Sequence, residues 1–77
     1  MQKVKLGKYQ HYKGKFYRVI GVARHSETLE ELVVYQALYY TKEFGKNSLW
    51  VRPKKMFLEK LIIKGKKVPR FKYISKN

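Results

Sequence analysis

No cysteine stands among the 77 residues, and in a chain this short that absence governs which folds are open to it. A domain of this length buries only a little over ~60% of the surface its unfolded chain exposes, so small domains commonly add disulfides, metals or a second subunit. Disulfides and cysteine-ligated zinc are excluded here. Seven Tyr, four Phe and one Trp must then supply much of the core or of a subunit interface. Oligomerisation is the support that remains, and a homo-oligomer is expected. The lack of cysteine also fits an intracellular protein. The apolar clusters Leu32–Tyr35 and Leu61–Ile63 are of strand length, far below the ~20 residues of a membrane helix, and the first residues lack a signal-peptide hydrophobic region. A single cytoplasmic domain spanning 1–77, with no membrane partner, is the expectation.

Periodicity favours strands. Gly7 to Tyr12 reads as a short strand closed by a turn at Lys13-Gly14. Phe16 to Ala23 follows, rich in β-branched and aromatic residues, with Gly21 marking a bulge or sharp bend. Leu32 to Tyr40 alternates Val33, Tyr35, Ala37 and Tyr39 on one face with Val34, Gln36, Leu38 and Tyr40 on the other. Thr28 and Glu31 have capping-box spacing, but no helical repeat follows, so a turn or single helical turn is expected. Thr41 to Ser48 reads as a mobile loop and Leu49 to Arg52 as a strand stopped by Pro53, which opens one helical turn through Phe57. Leu61–Ile63 and Phe71–Ile74 flank Lys64-Gly65-Lys66-Lys67 as a hairpin, with Pro69 at a strand start or edge. Residues 1–6 and 75–77 are expected to fray. Five or six short strands with one short helical turn predict a mainly β chain, a small closed or nearly closed barrel.

The formal charge of +14 is unevenly spread. Residues 1–24 carry seven basic side chains and no acid, and residues 53–77 carry nine with one acid, Glu59. Residues 25–52 hold three basic side chains against four glutamates. Such a field concentrates anions: nucleotides, nucleic acid or another polyanion. Fifteen of the basic residues are lysine and four are arginine. Lysine lacks the planar fork that reads base edges, so base-specific DNA recognition is not expected, and lysine bias alone accounts for the charge equally well.

The chemically mixed stretch is Arg24-His25-Ser26-Glu27-Thr28, lying between two strands. His, Ser and Glu are triad components, but consecutive residues rarely converge on one reacting atom. A metal site using His11, His25 and a glutamate lacks ligand spacing. The chain has no aspartate, no glycine-rich phosphate loop and no acid–base pair, so no enzyme, no metal and no cofactor is predicted. As a turn, the cluster satisfies itself: Ser26 and Thr28 accept backbone N–H groups, Glu31 closes a cap and His25 donates to a carbonyl. As a site, its amides and hydroxyls beside Arg24 suit an anion. Arg52 is placed either to fork a phosphate or to pair with Glu27, Glu30 or Glu31. Tyr35 and Trp50 are stacking platforms by type, although packing in the core is the favoured place for Trp50.

The words Gly7-Lys8-Tyr9-Gln10-His11-Tyr12-Lys13-Gly14, Tyr17 and Val19, Ala23-Arg24-His25-Ser26-Glu27-Thr28, Val33-Val34-Tyr35 with Leu38-Tyr39, and Leu49-Trp50-Val51-Arg52-Pro53 with Met56-Phe57 resemble DUF1653, a small bacterial and phage family. The resemblance covers nearly the whole chain and implies an SH3-like β-barrel. It implies no activity. From the residues, the expected function is a non-enzymatic module that captures an anionic, nucleotide-like ligand, one version being a phage-type sponge for a nucleotide second messenger. The candidate ligand-binding residues are Arg24, His25, Ser26, Thr28, Tyr35, Trp50 and Arg52, with Lys13, Lys15, Lys54 and Lys55 supplying the field. The alternative is a salt-dependent, largely non-specific RNA- or DNA-binding protein.

Overall fold

The computed structural model describes residues 3–77. Its main element is a five-stranded antiparallel sheet in the order β6-β3-β2-β1-β9, formed by β1 (Gly7–His11), β2 (Phe16–Arg24), β3 (Glu31–Ala37), β6 (Leu49–Pro53) and β9 (Phe71–Ser75). Two short ribbons stand apart from it: β4 (Tyr40–Thr41) with β5 (Gly45–Lys46), and β7 (Lys60–Ile63) with β8 (Lys66–Pro69). One helical turn, α1 (Lys54–Phe57), connects β6 to β7. The chain is mainly β, as its alternating pattern predicts.

Alternation places the core. Tyr9, Val19, Val33, Tyr35, Ala37 and Phe71 point from four strands to the concave side of the sheet, where Phe57 of α1 meets them. Phe57 stacks on Phe71 with centroids 4.3 Å apart and meets Tyr9 edge-on at 5.3 Å. β2 carries a register shift between Val19 and Gly21, so Ile20 is the extra residue and the bend expected at Gly21 is there. Curling brings the two edge strands together: the Arg52 guanidinium of β6 lies 5.6 Å from the centre of the Phe71 ring of β9. Among the described residues no hydrogen-bonded ladder joins β6 to β9, so side chains and α1 close the curl.

Several local expectations change. Within the Thr41–Ser48 loop the chain makes a small ribbon, β4 with β5, its turn held by the Phe44 N–H donating to Thr41 Oγ1 at 3.0 Å. β3 ends at Ala37, because the chain bends at Leu38-Tyr39 to bring Tyr39 against Tyr17. The basic hairpin pairs Lys60–Ile63 with Lys66–Pro69, while Phe71–Ser75 pairs with β1 instead. Its two-residue turn, Lys64-Gly65, has positive φ at both positions (50° and 80°), the geometry that suits the twist of a tight hairpin. Pro69 therefore ends a strand and Lys66-Lys67 begin one. Pro53 precedes the helical turn and is the last residue of β6. Of the residues expected to fray, 1–2 lie outside the described residues. Val4 packs on the core, the Lys5 carbonyl accepts the Tyr9 hydroxyl at 2.7 Å, and Ser75 belongs to β9.

Candidate functional site

The polar cluster folds as a self-contained turn. The His25 N–H donates to the Glu30 carbonyl and the Leu29 N–H to the His25 carbonyl, both at 2.8 Å. The His25 imidazole accepts rather than donates: its Nδ1 receives the Glu27 N–H at 3.1 Å and the Thr28 N–H at 3.4 Å. Thr28 Oγ1 accepts the Glu30 N–H, and Arg24 Nη1 donates to the Leu29 carbonyl at 2.9 Å. Ser26 is exposed at the tip. Glu31 caps no helix; it opens β3 and pairs with Lys54 at 3.6 Å. Lys54, Lys55, Glu30, Glu31 and Leu58 line a shallow cleft in which both signs of charge are present. His11 and His25 lie beyond opposite ends of β2, too far apart to share a metal ion.

Tyr35, Trp50 and Arg52 come together elsewhere. Arg24 pairs with Glu31, and Tyr35 stands four residues farther along β3, about 13 Å at strand rise. There Tyr17, Tyr35, Tyr39, Trp50 and Arg52 line a cleft of about 210 Å³. Registry builds it: Tyr35 is opposite Trp50 on β6 and diagonal to Tyr17 on β2, and the bend after Ala37 adds Tyr39. The Tyr17 and Tyr39 hydroxyls share a hydrogen bond of 2.5 Å. Burial, then that bond, pushes the Tyr17 phenol above its ordinary range, so it stays protonated.

The cleft's members differ from their expected roles. Tyr35 is only 5% exposed and its ring belongs to the core; its hydroxyl alone serves the cleft, accepting Arg52 Nε at 3.4 Å. Trp50 is not in the core. It is 38% exposed, stands edge-on to Phe44 at 5.0 Å and donates from Nε1 to Ser48 Oγ at 2.9 Å. Arg52 has no carboxylate within 4.0 Å among the described residues, so the ion pair with a glutamate is not made. Lys15 Nζ sits 4.8 Å from the Tyr39 ring centre, beside the cleft, and Lys13 lies over Tyr12, farther off. Tyr17 and Tyr39 escape a reading of the sequence because they are 22 residues apart and nothing short-range links them.

His11 lies behind this wall, its ring 4.9 Å from Phe71 and 6.3 Å from Tyr17, with Nδ1 accepting the Lys13 N–H. Burial, then the charges of Arg52, Arg70 and Lys13, lower its pKa below 6.5. The unfolded chain therefore takes up this proton first as pH falls. The His11 contribution to stability is complete above about pH 6.5 and is lost as pH drops through the folded-state value. Thermal melts between pH 7.5 and pH 5 should fall more steeply for the wild type than for His11→Gln; parallel slopes would refute the assignment.

The family described as "Protein of unknown function (DUF1653)" matches over residues 7–73, which takes in four strands of the main sheet and the first three residues of β9. The chain belongs to the DUF1653 family. A crystal structure of a protein belonging to DUF1653 from Bordetella bronchiseptica is similar to it, with 34% identity and a TM-score of 0.86 over 100% of this chain and 95% of that one. No curated protein matches the chain. No helix of this DUF1653 domain, among the described residues, is long and apolar enough to cross a membrane.

Proposed function

We propose that this DUF1653 domain is a non-enzymatic binding module for an anionic ligand that carries an aromatic base, and that the Tyr17–Tyr39–Trp50–Arg52 cleft receives it. The observation that carries this is the guanidinium of Arg52, unpaired with any described carboxylate and set among aromatic rings. An exposed indole stacks a base for ~1–3 kcal/mol, and a guanidinium forks a phosphate through two parallel N–H donors. Aromatic cages also take quaternary ammonium groups. Here Arg52 in the cleft, Lys15 at its rim and a chain charge of +14 repel cations and leave anions.

Binding of adenosine and guanosine 5′-monophosphates, followed by calorimetry at low salt, tests the site. Arg52→Ala removes a charge-assisted hydrogen-bond donor worth ~1.5–3 kcal/mol, a weakening of roughly 10- to 100-fold. Arg24→Ala, whose guanidinium is engaged with the Leu29 carbonyl, should leave affinity unchanged. Equal affinities for Arg52→Ala and wild type would refute the cleft.

Nucleic acid is favoured by a separate observation. The β7–β8 ribbon carries Lys60, Lys64, Lys66 and Lys67, all exposed, and no acid. A polyphosphate strand on that ribbon would release counterions, so its affinity would fall steeply with salt, whereas a compact ligand in the cleft would show a shallow dependence.

A further inference from the structure

β6 is an edge strand of the main sheet, with no strand hydrogen-bonded to its outer side among the described residues. The Ala37 N–H donates to the Ser48 carbonyl at 2.8 Å, which fixes the phase of the β3–β6 ladder. In that phase the backbone groups of Trp50 and Arg52 face β3, and those of Leu49 and Val51 face away from the sheet. Pro53 has the outward phase too, where its missing N–H interrupts nothing. Leu49 is 62% and Val51 59% exposed. Natural edge strands are blunted by short length, by Pro or by charged side chains, lysine above all, and in β6 the Arg52 and Pro53 end is so marked while Leu49 to Val51 is not. This chain has fifteen lysines, yet none stands between Lys46 and Lys54. The opposite edge, β9, carries Lys72 and is followed by Lys76.

Charge limits what can cover such an edge. Two copies of a +14 chain repel through their basic flanks, 1–24 and 53–77. Residues 25–52, with three basic side chains and four acids, are the segment that carries no excess positive charge, and it contains β3 and nearly all of β6. We infer that β6 pairs antiparallel with β6 of a second copy, about a two-fold axis beside Trp50. Leu49 then exchanges backbone hydrogen bonds with the partner's Val51, and Val51 with the partner's Leu49. Trp50 stands opposite the partner's Trp50.

The pairing completes the cleft. Ligand pockets of drug-like size enclose ~300–1,000 Å³, and the single cleft of about 210 Å³ lies below that range. Trp50 is both a wall of the cleft and the residue on the two-fold axis, so the partner's Trp50 adds a second ring beside each site. That the joined cleft receives a nucleotide rests on the proposed function; the strand pairing does not.

The cysteine-free sequence makes the test direct. Residues opposite one another in a non-hydrogen-bonded antiparallel pair have Cα atoms ~4.5 Å apart, within disulfide reach. Under oxidation, Trp50→Cys should cross-link through residue 50, whereas Val51→Cys, offset from its own copy along the strands, should not. Light scattering at high micromolar concentration should give the wild type twice the chain mass of 9.3 kDa. Val51→Pro, which removes an outward N–H without touching the β3 ladder, should be monomeric, keep the folded circular dichroism spectrum, and melt at a temperature that does not depend on protein concentration. A monomeric wild type, a Trp50→Cys variant that stays reduced, or a Val51→Cys variant that links as readily would overturn the pairing. Nucleotide titration of the same samples separates the two ideas. A monomeric wild type that binds nucleotide overturns the pairing alone, and a dimeric wild type, Trp50 intact, that binds none overturns the cleft alone.

Discussion

Phe57→Ala should remove a large share of the stability of this fold. Phe57 is 2% exposed and touches Tyr9, Tyr35 and Phe71, residues from three different strands. Deleting a buried Phe costs ~3–5 kcal/mol, the transfer free energy plus the cavity left behind. At ~0.05–0.15 kcal/mol per residue, a domain of this length has only about 4–12 kcal/mol to lose. The helical turn α1 is four residues long with no side-chain cap, so Phe57 is its only buried anchor to the sheet. Followed by near-ultraviolet circular dichroism, thermal unfolding of Phe57→Ala should fall well below wild type, and that of Phe57→Leu should fall much less. An alanine variant that melts within a few degrees of wild type would show that the curl closes without α1.

The second large effect belongs to Gly7, where the backbone of β1 meets the end of β9. Its φ is +135°, and a Cβ there would come within 2.4 Å of the Ser75 carbonyl oxygen. Holding an L-residue in such a region costs ~1–3 kcal/mol by itself. In Gly7→Ala the overlap with backbone adds to this, because no flexible side chain can yield. Gly14 separates the two contributions: its φ is +110° and nothing lies within 4 Å of the added atom. Chemical denaturation should find Gly7→Ala distinctly less stable than Gly14→Ala, and equal losses would mean that β9 moves aside at little cost.

What the sequence discloses of this fold is what alternation and turn chemistry encode locally. The strands around Val19 and Val33, the bulge before Gly21 and the turn through Phe57 all follow from residue type and spacing over a few positions. Pairing partners are less accessible. Lys66-Lys67 read as turn residues because they are charged, yet the Lys64-Gly65 corner is sharp enough to return the chain at once. The polar cluster at Arg24–Thr28 attracts attention by its chemistry, although a tight turn uses such groups on its own backbone. The cleft has the opposite character. Tyr17 and Tyr39 are ordinary members of an alternating pattern, and only the β2–β3 register and the bend at Leu38-Tyr39 bring their hydroxyls together. Arg52 was visible as a candidate from its type, but its lack of a carboxylate partner is a fact of three-dimensional placement.

The pairing of β1 with β9 also dictates the order in which the molecule can be made. Tyr9 faces Tyr73 and His11 faces Phe71, so the second neighbour of β1 is supplied by nearly the last residues of this chain. During synthesis β1, β2, β3 and β6 emerge first and pair through short connections. Phe57 then waits without Phe71, the ring it stacks on. A contact between such distant residues also bears the largest loop-closure entropy and forms late in a refolding reaction. Until β9 docks, the chain exposes an aromatic surface within a strongly cationic polypeptide, whose positive charge opposes the association of neighbouring copies.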